Sequence, residues 1–425
     1  MGPPQLPTGE VLGPAPAPLT PATRVPHTFR ALRHRNFRLF ISGQIVSLVG
    51  TWMQNVAQAW LVYRLTHSEL LLGTTWFCSQ IAVFALGPLG GLACDRYSRQ
   101  KVVVATQTLS MLQAFALAAL TLTGNIQVWH VLALAVALGV INAFDMPGRQ
   151  ALVIQMTSQE DLINAISLNS AVFNAARVIG PGVAGLLVSA VGEGMCFLLN
   201  GISFLAVIFC LLAMRLPRFE PHPPAPVLQH LVDGFRYAAH HRQVRSVLSL
   251  MAAATFGGMP AFVLMPFFAD DIFHRGSRGL GYLMGAMGIG AVTGTLVLAR
   301  RTRPGGLGRV MVVSGLTTGA GYLAFAFSQS FYFSMAIMPI IGYSVMRQMA
   351  SANTTIQTAI PDQYRGRIMA LYAMTVVGLG PFGSLAAGAI ASRTNARVAL
   401  ACGGVLAMAA ASVYAWSLRR QPVAV

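Results

Sequence analysis

Apolar runs without acidic or basic residues recur along the chain from Leu39 to Leu418. Most are about 17 to 25 residues long and one reaches 30, enough as a helix to cross a hydrocarbon core roughly 30 Å thick. Inside lipid every backbone N–H and C=O must find a partner within the chain, so such runs are committed to helix. Twelve can be drawn: 39–63, 70–94, 102–122, 128–144, 162–191, 194–214, 247–269, 279–299, 310–328, 331–351, 368–392 and 398–418. Ten carry no charge; the fifth and tenth carry Arg177 and Arg347. Only 10% of the 425 residues are charged, where a soluble domain carries roughly 25%. The expected fold is an all-α integral membrane protein of twelve transmembrane helices.

The net charge of +17 would suggest nucleic acid in a soluble protein. Here the basic residues are sorted by loop instead, with 22 of 29 Lys and Arg in the tails and alternate connections and 5 on the opposite side. Retention of positive charge in the cytoplasm then places both termini there. No interleaved basic and aromatic patch marks a nucleic-acid surface. The five cysteines form no CxxC pair and sit in or beside apolar runs, so neither a disulfide framework nor a metal site is expected. Residues 1–28, rich in Pro, Ala and Thr, read as a disordered cytoplasmic tail. A bundle over 29–214, a cytoplasmic linker over 215–245, a second bundle over 246–420 and a short tail over 421–425 complete the division. Within the linker, Leu228, Leu231, Val232, Phe235 and Ala239 have the spacing of an interfacial helix. A bias of 28 Arg to one Lys points to a GC-rich bacterial genome, and hence to the plasma membrane.

The two halves look like copies. Ile154 and Gln155 recur as Ile356 and Gln357 at an offset of 202; Gly87 and Gly91 recur as Gly290 and Gly294, and Gly180 and Gly185 as Gly383 and Gly388, at 203. A shared offset near half the chain indicates two six-helix pseudo-repeat bundles, an arrangement used by transporters.

Between the second and third runs stands Gly91-Leu-Ala-Cys-Asp95-Arg96-Tyr-Ser-Arg99-Gln-Lys101. It resembles the loop signature of the major facilitator superfamily, with Ser98 for the usual second glycine. Residues 176–185 of the fifth run, Ala176-Arg177-Val-Ile-Gly180-Pro181-Gly-Val-Ala-Gly185, resemble the signature of that superfamily's antiporters. The stretches 36–38, 50–54 and 60–63 are similar to a bacterial branch that includes the enterobactin exporter and other secretion effectors. The resemblance implies a secondary transporter working by alternating access, most readily a proton-coupled exporter of a small amphipathic or anionic solute such as a drug or siderophore. It needs no cofactor and no metal, is no enzyme, and acts as a monomer. An importer on the same fold, or a non-transporting receptor or assembly factor, is the alternative. By the same resemblance Gly91 packs closely on a neighbour, Asp95 faces the start of the eleventh helix near Gly366, and Arg99 pairs with the acid ending helix 4, here Asp145. Arg96 and Arg149 belong to the same gating set. Pro147 is expected to end or bend helix 4. Asp145 and Arg347, 202 apart and opposite in charge, suggest a gate contact between the halves.

A charge within a span costs several kcal/mol unless it meets water or a partner. Arg177 therefore either faces the central cavity, with Asn174 on the same helix face, or is satisfied by helix-end carbonyls. Gln54 and Gln58 line the cavity or act as interhelical glue. Asn142 is a further cavity candidate. Apart from Asp145 at an edge, no run contains an acid to relay protons.

Overall fold

The computed structural model describes residues 27–216, 235–299 and 306–420. The amino-terminal tail up to residue 26, the linker positions Leu228, Leu231 and Val232, and the last five residues lie outside them. A short 3-10 segment, His27–Arg33, already occupies the end of the expected tail. Residues 235–240 are helical, with Phe235 exposed and Ala238 buried.

Six helices form the first half: α1 (Arg35–Thr66), α2 (Glu69–Arg96), α3 (Arg99–Leu122), α4 (Val128–Gln155), α5 (Leu162–Val191) and α6 (Glu193–Leu212). The second half has α7 (Arg242–Val263), α8 (Gly276–Ala299), α9 (Leu307–Phe327), α10 (Phe331–Ala359), α11 and α12 (Ala396–Arg419). Helical structure continues past α7 through Met265–Phe267 into a π turn, Phe268–Ile272. α11 is two segments, Asp362–Gly378 and Gly380–Arg393, parted at Leu379 where Pro381 withholds an N–H and crowds the preceding turn. Among the described residues, ten helical stretches are long and apolar enough to cross a membrane; α1 and α10, which fall short on apolarity, hold Gln44, Gln54, Asn55 and Gln58, and Arg347 and Gln348. Side chains at Ser68, Ser330 and Asn395 accept from backbone N–H groups at the starts of α2, α10 and α12, satisfying donors that the first turn leaves open.

The packing is duplicated. α2 lies on α4 as α8 lies on α10; α3 on α6 as α9 on α12; α1 on α5 and α6 as α7 on α11 and α12. Between halves the contacts are exchanged, α5 against α8 and α11 against α2. The repeated glycines explain this: Gly180 abuts Trp52 of α1 and Gly383 abuts Phe256 of α7, while Gly185 meets Gly281 of α8 and Gly388 meets Glu69 of α2. Small residues at these crossings let backbones touch where no hydrophobic force drives helices together in lipid.

The buried cores show which end of the molecule is shut. One cluster mixes both halves, joining Met53, Leu61, Tyr63 and Val188 to Leu264, Phe267, Leu280 and Phe325. Toward the face that carries the chain ends, each half has a core of its own: Phe37, Phe40, Leu152 and Leu211 in the first, Val247, Met251, Ile356 and Ile368 in the second. The halves are therefore fused at the far face and separate at the near one.

Candidate transport site and gates

Between the fused layer and the separate inner cores lie two neighbouring clefts. Asn55, Gln58, Thr75, Trp76 and Ser79 of the first half face Phe262, Pro266, Leu280 and Met284 of the second across one of them. The other has Arg177 and Pro181 on one side and Met265, Met287, Gly342 and Met346 on the other. Phe262 and Met284 belong to both, so the clefts adjoin. Four methionines give a wall that can reshape around different apolar bodies. Arg177 lies over the Trp52 ring, 5.7 Å from its centre, and has no carboxylate partner among the described residues. The arrangement offers an anion one strong contact within an otherwise apolar and amide-lined space.

The polar pair in α1 divides. Gln58 lines the cleft, but Gln54 is 2% exposed and held in a chain of amides. It donates to Gln113 of α3 at 3.0 Å and accepts from Asn200 of α6 at 2.7 Å, while Gln113 donates onward to Leu134 of α4 at 3.2 Å. Gln54 ties four helices together and is not part of the cavity wall. Asn142 is half-buried and lines neither cleft; the Asn174 side chain is outside the described residues.

At the shut face, Tyr63 of α1 crosses to the second half. Its hydroxyl lies 2.8 Å from a carboxylate oxygen of both Asp270 and Asp271, on the π turn, and its ring packs edge-on against Phe267. Beside it Arg278 donates to Ser189 at 3.0 Å, again between halves. Sequence reasoning missed this latch because the seventh run ends at Ala269 by hydropathy, whereas the helical turn carries on through both acids.

At the open face, helix α4 runs on through Pro147 to Gln155, so the proline does not end it. Residues 145 and 149 therefore sit one turn apart on one face, and Arg149 forms an ion pair with Asp145 while donating to Gln44 of α1 at 3.0 Å. Thr106 and Gln107 of α3 donate to the same carboxylate at 2.7 and 2.8 Å. Asp145, 1% exposed, is thus engaged within its own half, by two hydrogen bonds to one oxygen and by the ion pair at the other. Arg99 instead donates to the carbonyl of Ala151, and Arg347 stacks on Tyr343 and donates to its hydroxyl at 3.0 Å. Neither arginine is brought to Asp145 here. Asp95 is half-buried without an ion-pair partner among the described residues, and Arg96 is exposed. A side chain at Gly91 would meet nothing; the close approach falls one residue earlier, where Gly90 abuts the Ala143 carbonyl. One residue turns a helix by about 100°, which moves the packing face from Gly91 to Gly90.

The family described as transmembrane secretion effector matches residues 27–423. The chain belongs to that branch of the major facilitator superfamily. Like its relatives it is a transporter and not an enzyme. It is 25% identical to the staphyloferrin A transporter of Staphylococcus aureus, over 82% of this chain and 87% of that one. It is also 25% identical to the multidrug efflux pump Tap of Mycolicibacterium fortuitum, over 83% and 88%. Among solved structures, a bacterial homologue of the human lysosomal transporter Spinster, inward-facing and unoccupied, superposes with a TM-score of 0.69 at 15% identity, covering 93% of this chain and 97% of that one.

Proposed function

We propose that this transporter exports a small amphipathic anion, of the siderophore or acidic-drug kind, across the bacterial plasma membrane by alternating access, with both termini in the cytoplasm. The observation that carries the reading is the pair of clefts shared by both halves, apolar and methionine-rich around Arg177, which has no carboxylate partner among the described residues. A guanidinium without a carboxylate in that setting is stabilised by a bound anion through charge-assisted hydrogen bonds. The open face, on this orientation, is the cytoplasmic one, so the molecule stands ready to load from inside. Relatives named for siderophore transport and for multidrug efflux support the same class of cargo.

Protons are the coupling ion in this reading. Asp145 is committed to Arg149, Thr106 and Gln107. That leaves Asp270 and Asp271, held across the interface by Tyr63, as the acids whose surroundings change when the far face opens. The gating set Gly91, Asp95, Arg96, Arg99, Asp145, Arg149 and Arg347 acts at the opposite end as the near face shuts. Gly180 and Gly185 seat α5 on α1 and α8, and Pro181 between them lines the cleft. A monomer suffices, since both halves of the pathway come from one chain. The test is efflux from cells expressing the protein, with and without a protonophore, using catecholate and carboxylate siderophores and acidic dyes. Lower accumulation that vanishes with the proton gradient and with Arg177→Gln supports the reading. Higher accumulation would mean uptake, and no change across the panel would refute this cargo class.

A further inference from the structure

We propose that a polar pocket where α1 begins and α6 ends binds the phosphodiester headgroup of an anionic glycerophospholipid. His34, Arg35, Asn36 and Arg215 line it, with Met156 as its apolar wall. The pocket is built by a reciprocal clamp: the Asn36 amide donates to the Arg215 carbonyl at 2.8 Å and accepts from the Arg215 N–H at 3.2 Å. This ties the backbone at the end of α6 to the start of α1, the two places from which the exposed Arg215 and Arg35 line one space.

Charge accounting around the pocket is one-sided. The nearby acids are already engaged: Asp161 takes Arg33 and His34 at 2.8 Å and Arg30 at 3.2 Å, and Glu160 lies 3.7 Å from Arg30. Arg35, Arg38 and Arg215 are left with no carboxylate partner among the described residues. The helix α1 starts at His34 without a side-chain cap, so its first N–H groups add to the positive field at the same spot. A phosphodiester answers all of this, since two guanidinium groups can grip its oxygens in fixed geometry.

A lipid, and not free phosphate, is indicated by what lies next to the pocket. Phe209 and Leu212 on the last turns of α6 are 73% and 65% exposed. Both stand within two turns of Arg215 at the end of a membrane-spanning helix, so the pocket sits at headgroup depth with acyl chains beneath it. Basic pockets between transmembrane helices are known places for acidic lipid headgroups. The lipid would brace α1 against α6, two helices of the moving half, on the face that opens.

The test uses the purified full chain in zwitterionic nanodiscs, titrated with short-chain phosphatidylglycerol and followed by the rise in melting temperature. Each of Arg35→Gln and Arg215→Gln should weaken the half-saturation point about fivefold and the double variant about 30-fold, from roughly 1 kcal/mol per arginine at a membrane surface. Arg309→Gln, an exposed arginine on the same face, should leave it unchanged. Equal response of the wild type and the double variant would overturn the site. A shift of equal size with inorganic phosphate alone would overturn the lipid assignment.

Discussion

Replacing Gly185 by Ala tests whether backbone contact between α5 and α8 holds the far face shut. A Cβ there would stand 2.6 Å from the backbone nitrogen of Gly281 and 2.8 Å from the carbonyl of Ser277, and closer still to the Gly281 Cα. Ordinary heavy-atom contact is about 3.5–4.0 Å, so the helices must part by about an ångström. No flexible side chain is present to yield, because both neighbours are backbone atoms. Overpacking of this kind costs about 1–3 kcal/mol, and the cost falls only on the conformation in which these two helices touch. The equilibrium should therefore move toward the state open at the far face by roughly 5- to 150-fold. Spin labels at positions 125 and 329, exposed residues beyond α3 and α9, on a background without the native cysteines, report the separation of the halves by pulsed dipolar spectroscopy. The longer distance should grow in Gly185→Ala. An unchanged distribution in a protein that still folds and inserts would refute the idea that this glycine contact sets the closed state.

Tyr63→Phe removes the hydroxyl shared by Asp270 and Asp271 and should open the same face, by about 1.5–3 kcal/mol for a hydrogen bond to a charged group; an unchanged spin-label distance would count against the latch. Arg177→Gln should weaken binding of anionic solutes by about 10- to 100-fold and spare neutral amphiphiles of the same size, measured by fluorescence titration on the purified protein. Asp145→Asn and Arg347→Gln should give non-additive transport defects if these residues meet when the near face closes; additive losses would rule out that contact. The His34 hydrogen bond, followed by the charges of Arg33 and Arg30, holds Asp161 below the usual carboxylate range. A depressed carboxyl stabilises the fold above its unfolded value of about 3.9 and loses that contribution as pH falls through the lower folded value. Exchange protection of residues 27–34 should therefore persist to mildly acidic pH and fall at neutral pH in Asp161→Asn, as read by hydrogen exchange.

The spacing of nearly uncharged runs locates the twelve spans, two of which, α1 and α10, are too polar to be found by hydropathy, since the cost of unpaired backbone in lipid leaves one solution for each run. The glycine offset likewise anticipates which helices touch. What the sequence does not disclose is which polar groups neutralise one another. Gln54 and Gln58 look equivalent at a spacing of four, yet only Gln54 is captured by Gln113 and Asn200, residues 59 and 146 positions away. Asp145 has two possible basic partners nearby, and the decision rests on whether Pro147 breaks its helix. It does not, because the helix carries on to Gln155 and places Arg149 one turn below.

The repeat also separates scaffold from chemistry. Gly180 and Gly185 recur as Gly383 and Gly388: the first of each pair packs on a helix of its own half, the second on a helix of the other half. Two matching close contacts of small residues between the bundles come from one duplication. At the same offset, however, Arg177 corresponds to Gly380 and Tyr63 to Pro266. The groups that would recognise an anion and latch the far face occur in one half only. A symmetric pathway would present the same surface to both sides of the membrane; placing the cation in α5 and the phenol in α1 gives the two bundles different tasks as they rock. If so, moving the guanidinium to the other half, Arg177→Gly with Gly380→Arg, should leave the fold intact but abolish anion selectivity, and retained selectivity would show that the position of the charge within the repeat is immaterial.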